Sequence, residues 1–164
     1  MSHTIPIIAV DTREPVDGGF SPHFNRPWVR RKLDTGDYSI LGAENWVAVE
    51  RKSLNDLVSC FCKERERFVR ELERFQSIRH RWIICEGSYR DLLRGKYVSK
   101  MKPRAAWESC IALMVRYQIP CPMVSGSSHT GAQLCQSLLL RWFREHHKRI
   151  SEVEAACREA RKAG

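Results

Sequence analysis

Residues 36–56 of the chain read GDYSILGAENWVAVERKSLND, and the first part of this stretch has the pattern of a β-hairpin. Two short apolar runs flank a Gly-Ala-Glu-Asn turn, a length that is common in hairpins. If Leu41 lies opposite Trp46, the numbers of paired residues sum to 87, and Asp37 lies opposite Glu50. Residues opposed in this way have Cβ atoms about 4.5–5.5 Å apart. The hairpin therefore predicts two carboxylates that are close enough to share one metal ion.

Lys52 follows Glu50 by two residues, so both side chains are expected on the same face of the strand. Hard oxygen ligands such as Asp37 and Glu50 suit Mg²⁺ or Mn²⁺. Such an ion would polarise a phosphoryl oxygen and lower the pKa of its bound water. Lys52 would orient the attacking water, help to deprotonate it, or stabilise the developing charge, and the sequence leaves these three roles open.

The same motif also has simpler interpretations. A Glu-x-Lys pair on a strand is commonly a surface ion pair that contributes well under ~1 kcal/mol. Asp56 forms a capping box with Ser53, and on this interpretation it only caps the helix that follows.

A second acidic cluster favours the metal site over these interpretations. Asp11, Arg13 and Glu14 follow a short apolar run, where a buried strand is expected to end. Asp11 would complete the metal site directly or through a water molecule. Arg51 is expected on the opposite face of its strand, where it would pair with Glu14 or Asp56 unless a bulge redirected it to the phosphate.

These motifs resemble those of the XPF-type (ERCC4-domain) structure-specific endonuclease family. The family's G-D pair and its E-R-K-x-x-x-D motif are matched at every position, by Asp37, Glu50, Arg51, Lys52 and Asp56. The family's strand ending in D-x-R-E is matched by Asp11, Arg13 and Glu14. Weaker similarity extends the resemblance to roughly residues 5–145, at an L-x-x-G-D-Y segment (33–38), two strands (82–86 and 122–124) and a turn (119–120).

The resemblance implies a fold and an activity. The implied fold is α/β, with a restriction-endonuclease-like mixed central sheet flanked by helices. A single nuclease domain is expected at residues 1–145, followed by a charged helical extension at residues 146–164. The implied activity is metal-dependent hydrolysis of phosphodiester bonds in branched or flap-like DNA, in DNA repair or recombination, with Arg51 among the functional residues. The chain resembles the stand-alone prokaryotic or phage form, since larger members add a tandem helix-hairpin-helix module after this domain and some add a helicase before it.

The order of the remaining elements is consistent with a mixed sheet flanked by helices. Further strands are expected at residues 5–10, 28–33, 82–85 and 122–124. Helices are expected from Ser53, over residues 63–77 with Phe68, Leu72 and Phe75 on one face, from Pro103, and from about Thr130. In the helix after Pro103, the predicted apolar stripe consists of Trp107, Ile111, Met114 and Val115.

The formal net charge of +9 and the pI near 9.5 indicate a polyanionic partner, which we expect to be DNA. Basic windows at residues 26–32 and 90–104 are expected to contact phosphates, with base stacking on the aromatic residue Tyr97 in the second. The alternative is a solvated charged loop. No sequence-reading module is evident, so binding should follow DNA backbone and shape more than base sequence. The residues assigned to DNA binding are Arg30, Arg31, Lys32, Arg90, Arg94, Lys96, Lys100, Lys102 and Arg104.

Length and composition argue against several other classes. A chain of 164 residues is expected to form one hydrophobic core. No apolar run approaches about 18 residues and no signal peptide opens the chain, so we expect a cytoplasmic protein without membrane association. The seven cysteines are dispersed and include no C-x-x-C pair, which indicates reduced thiols rather than a zinc site or disulfides. No small-molecule cofactor is expected.

A homodimer is the expected assembly. Leu134, Leu138 and Trp142 recur at four-residue steps, and Ile150 and Val153 extend this apolar strip into the charged tail. The resemblance implies pairing through this end of the fold. The alternative is that the first three side chains face the core of their own domain.

Three other functions compete with an active endonuclease. A non-catalytic DNA-binding or dimerisation partner of an active nuclease subunit would share the fold, but the complete set of acids with Lys52 argues against it. A branch-resolving or restriction-type nuclease of the same broad fold would share the acids but not the E-R-K-x-x-x-D motif. A pure DNA-binding module would explain the charge and leave the acidic cluster without a purpose.

Overall fold

The strands of the protein form one six-stranded sheet in a computed structural model, which describes residues 5–125 and 127–163, with side chains to residue 148 and at Ser151. The strands are β1 (Ile8–Val10), β2 (Trp28–Arg30), β3 (Tyr38–Ile40), β4 (Val47–Ser53), β5 (His80–Glu86) and β6 (Met123–Val124). Their order across the sheet is β2-β1-β3-β4-β5-β6. β3 pairs antiparallel with both β1 and β4, and the other neighbours are parallel. The predicted mixed sheet is therefore confirmed.

The hairpin of β3 and β4 has the predicted register. Tyr38 lies opposite Val49, as the predicted pairing required. The backbone N–H of Asp37 donates to the carbonyl of Val49 at 2.9 Å. Gly36 permits this approach because its φ is +79° and a Cβ at this position would lie 2.9 Å from the Cβ of Ala48. The register places Asp37 beside Glu50.

Helices cover both faces of the sheet, so the predicted α/β architecture is confirmed. They are α1 (Leu54–Phe61), α2 (Arg65–Phe75), α3 (Tyr89–Leu93), α4 (Pro103–Tyr117) and α5 (Ser128–Ala163), and a 3-10 turn lies at Ser21–His23. Ala48 and Ile83 pack in one core with residues of α1, α2 and α4. Val49 and Ile84 pack in a second core with Phe20 and residues of α5. Alternate residues of β4 therefore serve opposite faces of the sheet.

Local signals placed most elements correctly, although two strands are shorter than expected. β1 begins at Ile8 and β2 ends at Arg30. Ser53 caps α1 and Pro103 is the first residue of α4, as predicted. α2 buries the three predicted apolar residues, Phe68, Leu72 and Phe75.

The helix α4 buries a different stripe from the predicted one. Its buried residues are Ala106, Cys110 and Leu113. Val115, from the predicted stripe, is 73% exposed. The small side chains of Ala106 and Cys110 let the helix approach the core closely, so the buried stripe begins one position earlier. The other predicted members are half-buried at the edges of this contact, namely Trp107, Ile111 and Met114.

The helix α5 turns its apolar strip toward the domain's own core. Trp142 is only 4% exposed and Leu139 is fully buried. Leu134 and Leu138 are half-buried against the same core. Trp142 therefore belongs to the core of its own domain rather than to a dimer interface, while an interface that includes the half-buried Leu134 and Leu138 stays a prediction. Gly131 allows α5 to approach the sheet, since a Cβ there would lie 2.6 Å from the ring of Phe20.

The same helix continues without a break through residue 145 to Ala163. Ile150 and Val153, which the predicted strip included, lie outside the described side chains. Among the helices in the described ranges, none combines the length and the apolar character needed to cross a membrane. The division into a domain at 1–145 and an extension at 146–164 stays a prediction.

Candidate active site

Asp37 and Glu50 lie at the same cleft, on the face of the sheet that α2 covers. Both line a cavity of about 210 Å³. The Oδ2 atom of Asp37 accepts a hydrogen bond from the backbone N–H of Arg51 at 2.7 Å. This bond fixes the carboxylate of Asp37 against the strand that carries Glu50, so the hairpin itself assembles the pair.

The two carboxylates are costly to ionise in this position. Burial raises the pKa of Asp37 well above its usual value, and the negative charges of Glu50 and Glu14 raise it further. Burial also raises the pKa of Glu50, and the nearby Lys52 offsets this only in part. Two buried acids that disfavour each other's charge are stabilised by a shared cation. The arrangement is therefore suited to a positively charged ligand.

Lys52 lies between two acids on the same face of β4 as Glu50. Its Nζ is 2.7 Å from Oε1 of Glu50 and 3.9 Å from Oε2 of Glu71. Burial lowers the pKa of Lys52, but the charge and hydrogen bond of Glu50 outweigh burial, and the net shift is upward. The side chain is therefore held as an ammonium ion, which donates hydrogen bonds and cannot accept a proton.

Glu71 is a site residue that the sequence analysis missed. It projects from α2 into the cavity that holds Asp37 and Glu50. Its position three residues after Phe68 places it beside the buried stripe of α2, which was the only available signal. Its partner, Lys52, belongs to a distant strand, and only the packing of α2 on the sheet brings the two together.

Asp11 is fully buried, and both of its carboxylate oxygens are already engaged. Oδ1 accepts hydrogen bonds from the backbone N–H and Nε of Arg13 at 2.8 and 2.6 Å, and Oδ2 accepts one from the N–H of Leu33 at 2.6 Å. Burial favours the neutral acid, but these hydrogen bonds outweigh it and lower the pKa of Asp11. Asp11 is thus a stable carboxylate whose first role here is to hold Arg13 and Leu33.

Arg51 points to the opposite face of the sheet from Glu50 and Lys52, as strand alternation predicts. Its Nη2 lies 2.7 Å from Oε2 of Glu86, and its Nη1 lies 3.8 Å from Oε1 of Glu14. The guanidinium also lies over the ring of Phe20, 5.4 Å from the centroid. Arg51 therefore joins β4 to β5 and to the segment after β1, and the predicted pairing with Glu14 is present.

Glu14 and Glu86 complete this second cluster. The hydroxyl of Tyr38 donates a hydrogen bond to Glu14 and accepts one from the backbone N–H of Phe20 at 2.8 Å. Burial and the bond to Glu14 raise the pKa of Tyr38, so its hydroxyl stays protonated. Glu86 was not predicted from the sequence to be a site residue. It ends β5, and the parallel pairing of β4 with β5 brings it to Arg51.

Asp56 occupies the start of α1, where its capping role is visible. Its backbone N–H donates to Oγ of Ser53 at 3.1 Å, and that hydroxyl donates back to Oδ2 of Asp56 at 2.6 Å. Arg51 pairs with Glu14 and Glu86 and not with Asp56, among the residues that the structure describes. The local geometry is that of a helix cap.

The residues fit a metal ion that has two protein carboxylates. Among the side chains that the structure describes, no group of three or more His, Cys, Asp or Glu residues is arranged to hold an ion. Mg²⁺ is typically held by one or two carboxylates, with waters and substrate phosphates as the other ligands. Asp37 and Glu50 supply two such carboxylates at a cleft with space for these ligands.

In the first basic window, two of the three assigned cations already have protein partners. Arg30 donates to the carbonyls of Glu14 and Thr12 at 2.9 and 2.5 Å. Arg31 pairs with Glu44 at 3.1 Å. Lys32 is exposed. The first window therefore offers less free positive charge than its composition indicates.

The second basic window is made of three pieces rather than one loop. Arg90 lies on α3, Arg104 lies on α4, and residues 94–102 connect the two helices. Lys96 pairs with Asp91 at 3.1 Å. Within the described ranges, the other five assigned cations of this window form no ion pair, namely Arg90, Arg94, Lys100, Lys102 and Arg104.

The tip of this connection carries Val98 and not the predicted aromatic residue. Tyr97 packs against the core, and its hydroxyl donates to the carbonyl of Met101 at 2.9 Å, so it does not project for base stacking. Val98 is 88% exposed. Its backbone N–H donates to Oδ1 of Asn55 at 2.8 Å, which ties the connection to α1. Asn55 was not identified from the sequence, although it lies inside the E-R-K-x-x-x-D motif.

Comparisons with known proteins relate the chain to one family and to solved structures. The family model described as the ERCC4 domain matches residues 10–137. A structure of XPF from Aeropyrum pernix is similar with a TM-score of 0.66 and 21% identity, over 92% of this chain and 69% of that chain. A structure of XPF from Aeropyrum pernix in complex with DNA is similar with a TM-score of 0.63 and 22% identity, over 85% of this chain and 66% of that chain. None of the curated proteins matches the chain.

Proposed function

Because this chain belongs to the ERCC4 domain family, we propose that it is a metal-dependent DNA endonuclease that hydrolyses phosphodiester bonds in branched or flap-like DNA. The chain has the nuclease fold of that family. The observation that carries the proposal is the meeting of Asp37, Glu50 and Lys52 at one cleft. Such a set of charges is suited to binding a cation and to stabilising the charge that develops on a phosphate.

Asp37 and Glu50 would hold Mg²⁺ or Mn²⁺. When bound, the ion would polarise a phosphoryl oxygen and lower the pKa of a water molecule. The backbone N–H of Arg51 aims the carboxylate of Asp37, and the ammonium group of Lys52 aims that of Glu50. Asp11 would contribute indirectly, by holding Arg13 at the cleft, because its carboxylate is fully buried and both of its oxygens are bonded to protein groups.

Lys52 would stabilise negative charge on the scissile phosphate. The alternative roles of Lys52 are to orient the attacking water or to help to deprotonate it. An ammonium group in a partly buried cleft interacts strongly with a phosphoryl oxygen because water screens the interaction little.

Arg51 would act by positioning other groups. Its side chain holds Glu14 and Glu86 on the far face of the sheet, and its backbone N–H holds Asp37. Replacing Arg51 should therefore shift Asp37 and Glu50, although the side chain of Arg51 lies on the opposite face of the sheet. This role explains why the motif has an arginine at a position where the alternation of side chains along β4 directs the side chain away from the cleft.

DNA is proposed as the partner because the chain carries a net charge of +9 around this acidic cleft. The unpaired cations of the second basic window would contact phosphates. The proposed location is the cytoplasm, where the DNA of a prokaryotic cell or of a phage that infects it would be accessible. The comparisons support DNA as the substrate through the solved complex of Aeropyrum pernix XPF with DNA.

The test compares the wild-type protein with Asp37→Asn and Glu50→Gln on flap, fork and linear duplex DNA. We expect cleavage with Mg²⁺ or Mn²⁺ and none with EDTA. Each variant should lower the cleavage rate by orders of magnitude and bind DNA as well as or better than the wild type, because a negative charge near the phosphate is removed. Cleavage at the wild-type rate by either variant would rule out this site.

The same assay distinguishes an active endonuclease from the main alternative function. A non-catalytic DNA-binding or dimerisation partner of an active nuclease subunit would bind these DNAs and cut none of them under any metal condition. If the enzyme cuts linear duplex DNA as fast as the branched substrates, the proposed substrate class is wrong, but the proposed nuclease activity is still supported.

A further inference from the structure

The cleft that holds Asp37 and Glu50 also contains two arginines. Arg13 comes from the segment after β1, and Arg74 comes from the last turn of α2. Phosphates of a DNA strand are repelled by the acid pair unless nearby cations offset that repulsion. Two guanidinium groups at the same cleft supply such an offset.

Arg13 is held in place by its neighbours. Its Nε lies 2.6 Å from Oδ1 of Asp11, and its Nη2 donates to the carbonyl of Leu33 at 3.0 Å. The side chain is nevertheless 68% exposed. The carboxylates of Asp37 and Glu50 are close enough to help raise its pKa, after the larger effect of Asp11. Arg13 is therefore a fixed and accessible cation beside the acid pair.

The side chain of Arg74 is exposed to solvent. Within the part of the chain that the structure describes, it forms no ion pair, and the same is true of Arg70 one helical turn earlier. Arg67, by contrast, pairs with Glu64 and with Glu71 at 3.6 Å. Residues four apart on a helix lie on the same face. Arg70 and Arg74 thus form a short row of available charge that ends at the cleft.

We propose that α2 guides the DNA strand to be cut, with Arg74 contacting a phosphate next to the scissile bond, Arg70 contacting the same strand farther along, and Arg13 contacting it from the segment after β1. This proposal rests on the proposed nuclease function and adds to it the path of the cut strand. That path is distinct from the basic windows at residues 26–32 and 90–104. Guanidinium groups suit this role because they donate several hydrogen bonds to phosphate oxygens in a fixed geometry.

The experiment compares Arg74→Gln with Arg144→Gln, a matched loss of one exposed charge on α5, which packs on the opposite face of the sheet from the cleft. Arg74→Gln should raise KM by roughly three- to tenfold with little change in kcat, and should reduce the slope of log affinity against log salt by about 0.7–0.9. Arg144→Gln should change neither quantity measurably. Arg74→Lys should restore the salt slope, because it keeps the positive charge, but should recover only part of the affinity, because an ammonium group lacks the fixed hydrogen-bond geometry of a guanidinium.

A scan with single neutral methylphosphonates assigns the contact. In the wild type, neutralising one phosphate beside the cut bond should weaken DNA binding. In Arg74→Gln, the same replacement should cause no further loss of DNA-binding affinity. Equal behaviour of Arg74→Gln and Arg144→Gln would overturn the inference, as would a wild-type methylphosphonate profile unchanged in the variant. A wild type that binds and does not cut would instead remove the proposed function, while the binding data would still report on Arg74.

Discussion

At the scale of single residues, the site depends on the alternation of side chains along β4. Glu50 and Lys52 face the cleft on the side of α2, and Arg51 between them faces Glu14 and Glu86. One strand thus supplies charged groups to two clusters on opposite faces of the sheet. The backbone of Arg51 belongs to the cleft and its side chain belongs to the other cluster, which couples the two.

Lys52→Ala should slow the chemical step by at least tenfold and leave metal affinity little changed, since an ammonium group stabilises charge and binds no cation. Single-turnover cleavage measures the first quantity, and calorimetric titration with Mn²⁺ measures the second. Lys63→Ala removes an exposed lysine between α1 and α2 and serves as the control. A large loss of Mn²⁺ binding in Lys52→Ala would mean that Lys52 mainly keeps Glu50 in place.

At the scale of elements, the E-R-K-x-x-x-D motif is a strand that runs directly into a capped helix. Residues 50–53 end β4, Ser53 caps α1, and Asp56 closes the cap. Asn55, inside the same turn, holds the backbone of Val98 in the connection between α3 and α4. The motif therefore links the acid pair to the second basic window through one helix start.

Gly131→Ala should destabilise the protein by about 1–3 kcal/mol, the usual cost of adding a methyl group to a filled core. The added Cβ would lie 2.6 Å from the ring of Phe20, which the second core holds in place. Thermal or urea unfolding measures the change. Gly18→Ala is the control, because its Cβ would meet only Pro15 at 3.6 Å. Equal stability of the two variants would show that α5 can shift away from Phe20.

Changing Arg94, Lys96, Lys100 and Lys102 to Gln should weaken binding of all DNA sequences alike and flatten the salt dependence. Each phosphate contact that is lost should reduce the salt slope by about 0.7–0.9. Lys96 should contribute least, since Asp91 already pairs with it. Fluorescence anisotropy over a range of salt concentrations gives the slope. A slope equal to that of the wild type would exclude the segment from the interface.

At the scale of the whole molecule, a protein with a net charge of +9 carries an acidic pair in a cleft. Long-range attraction between the net charge of +9 and DNA would bring the substrate to the surface, and local cations would then guide a strand past the carboxylates. Positive charge alone would bind DNA without selecting a bond to cut. The position of the acid pair, fixed by the hairpin, would select it.

Self-association stays a prediction at the scale of the whole molecule, although Trp142, which was first assigned to the interface, is buried in its own domain. Light scattering at micromolar concentration should give a mass close to twice the 19.1 kDa of one chain. Trp142→Glu is unsuitable as a test of the interface, because Trp142 is buried in its own domain and the change should unfold the protein. A mass of one chain for the wild type would contradict the prediction.

The features that the sequence by itself determined are those that local backbone geometry controls. The turn length and the period of two along a strand set the pairing of Tyr38 with Val49 and the opposite directions of Glu50 and Arg51. Ser53 and Pro103 mark helix starts because their own chemistry satisfies or tolerates free backbone groups there.

Only the tertiary structure decided which distant groups meet. Glu71 reaches Lys52, and Glu86 reaches Arg51, because α2 packs on the sheet and β5 pairs with β4. Arg31, just after β2, likewise meets Glu44 in the turn between β3 and β4, a pairing of segments that are distant in sequence. The buried stripes of α4 and α5 also depended on packing, since a helix with apolar residues on several sides buries the side that fits its neighbours most closely. Sequence periodicity identifies which residues share a face of an element, whereas the shape of the adjoining elements decides which face is buried.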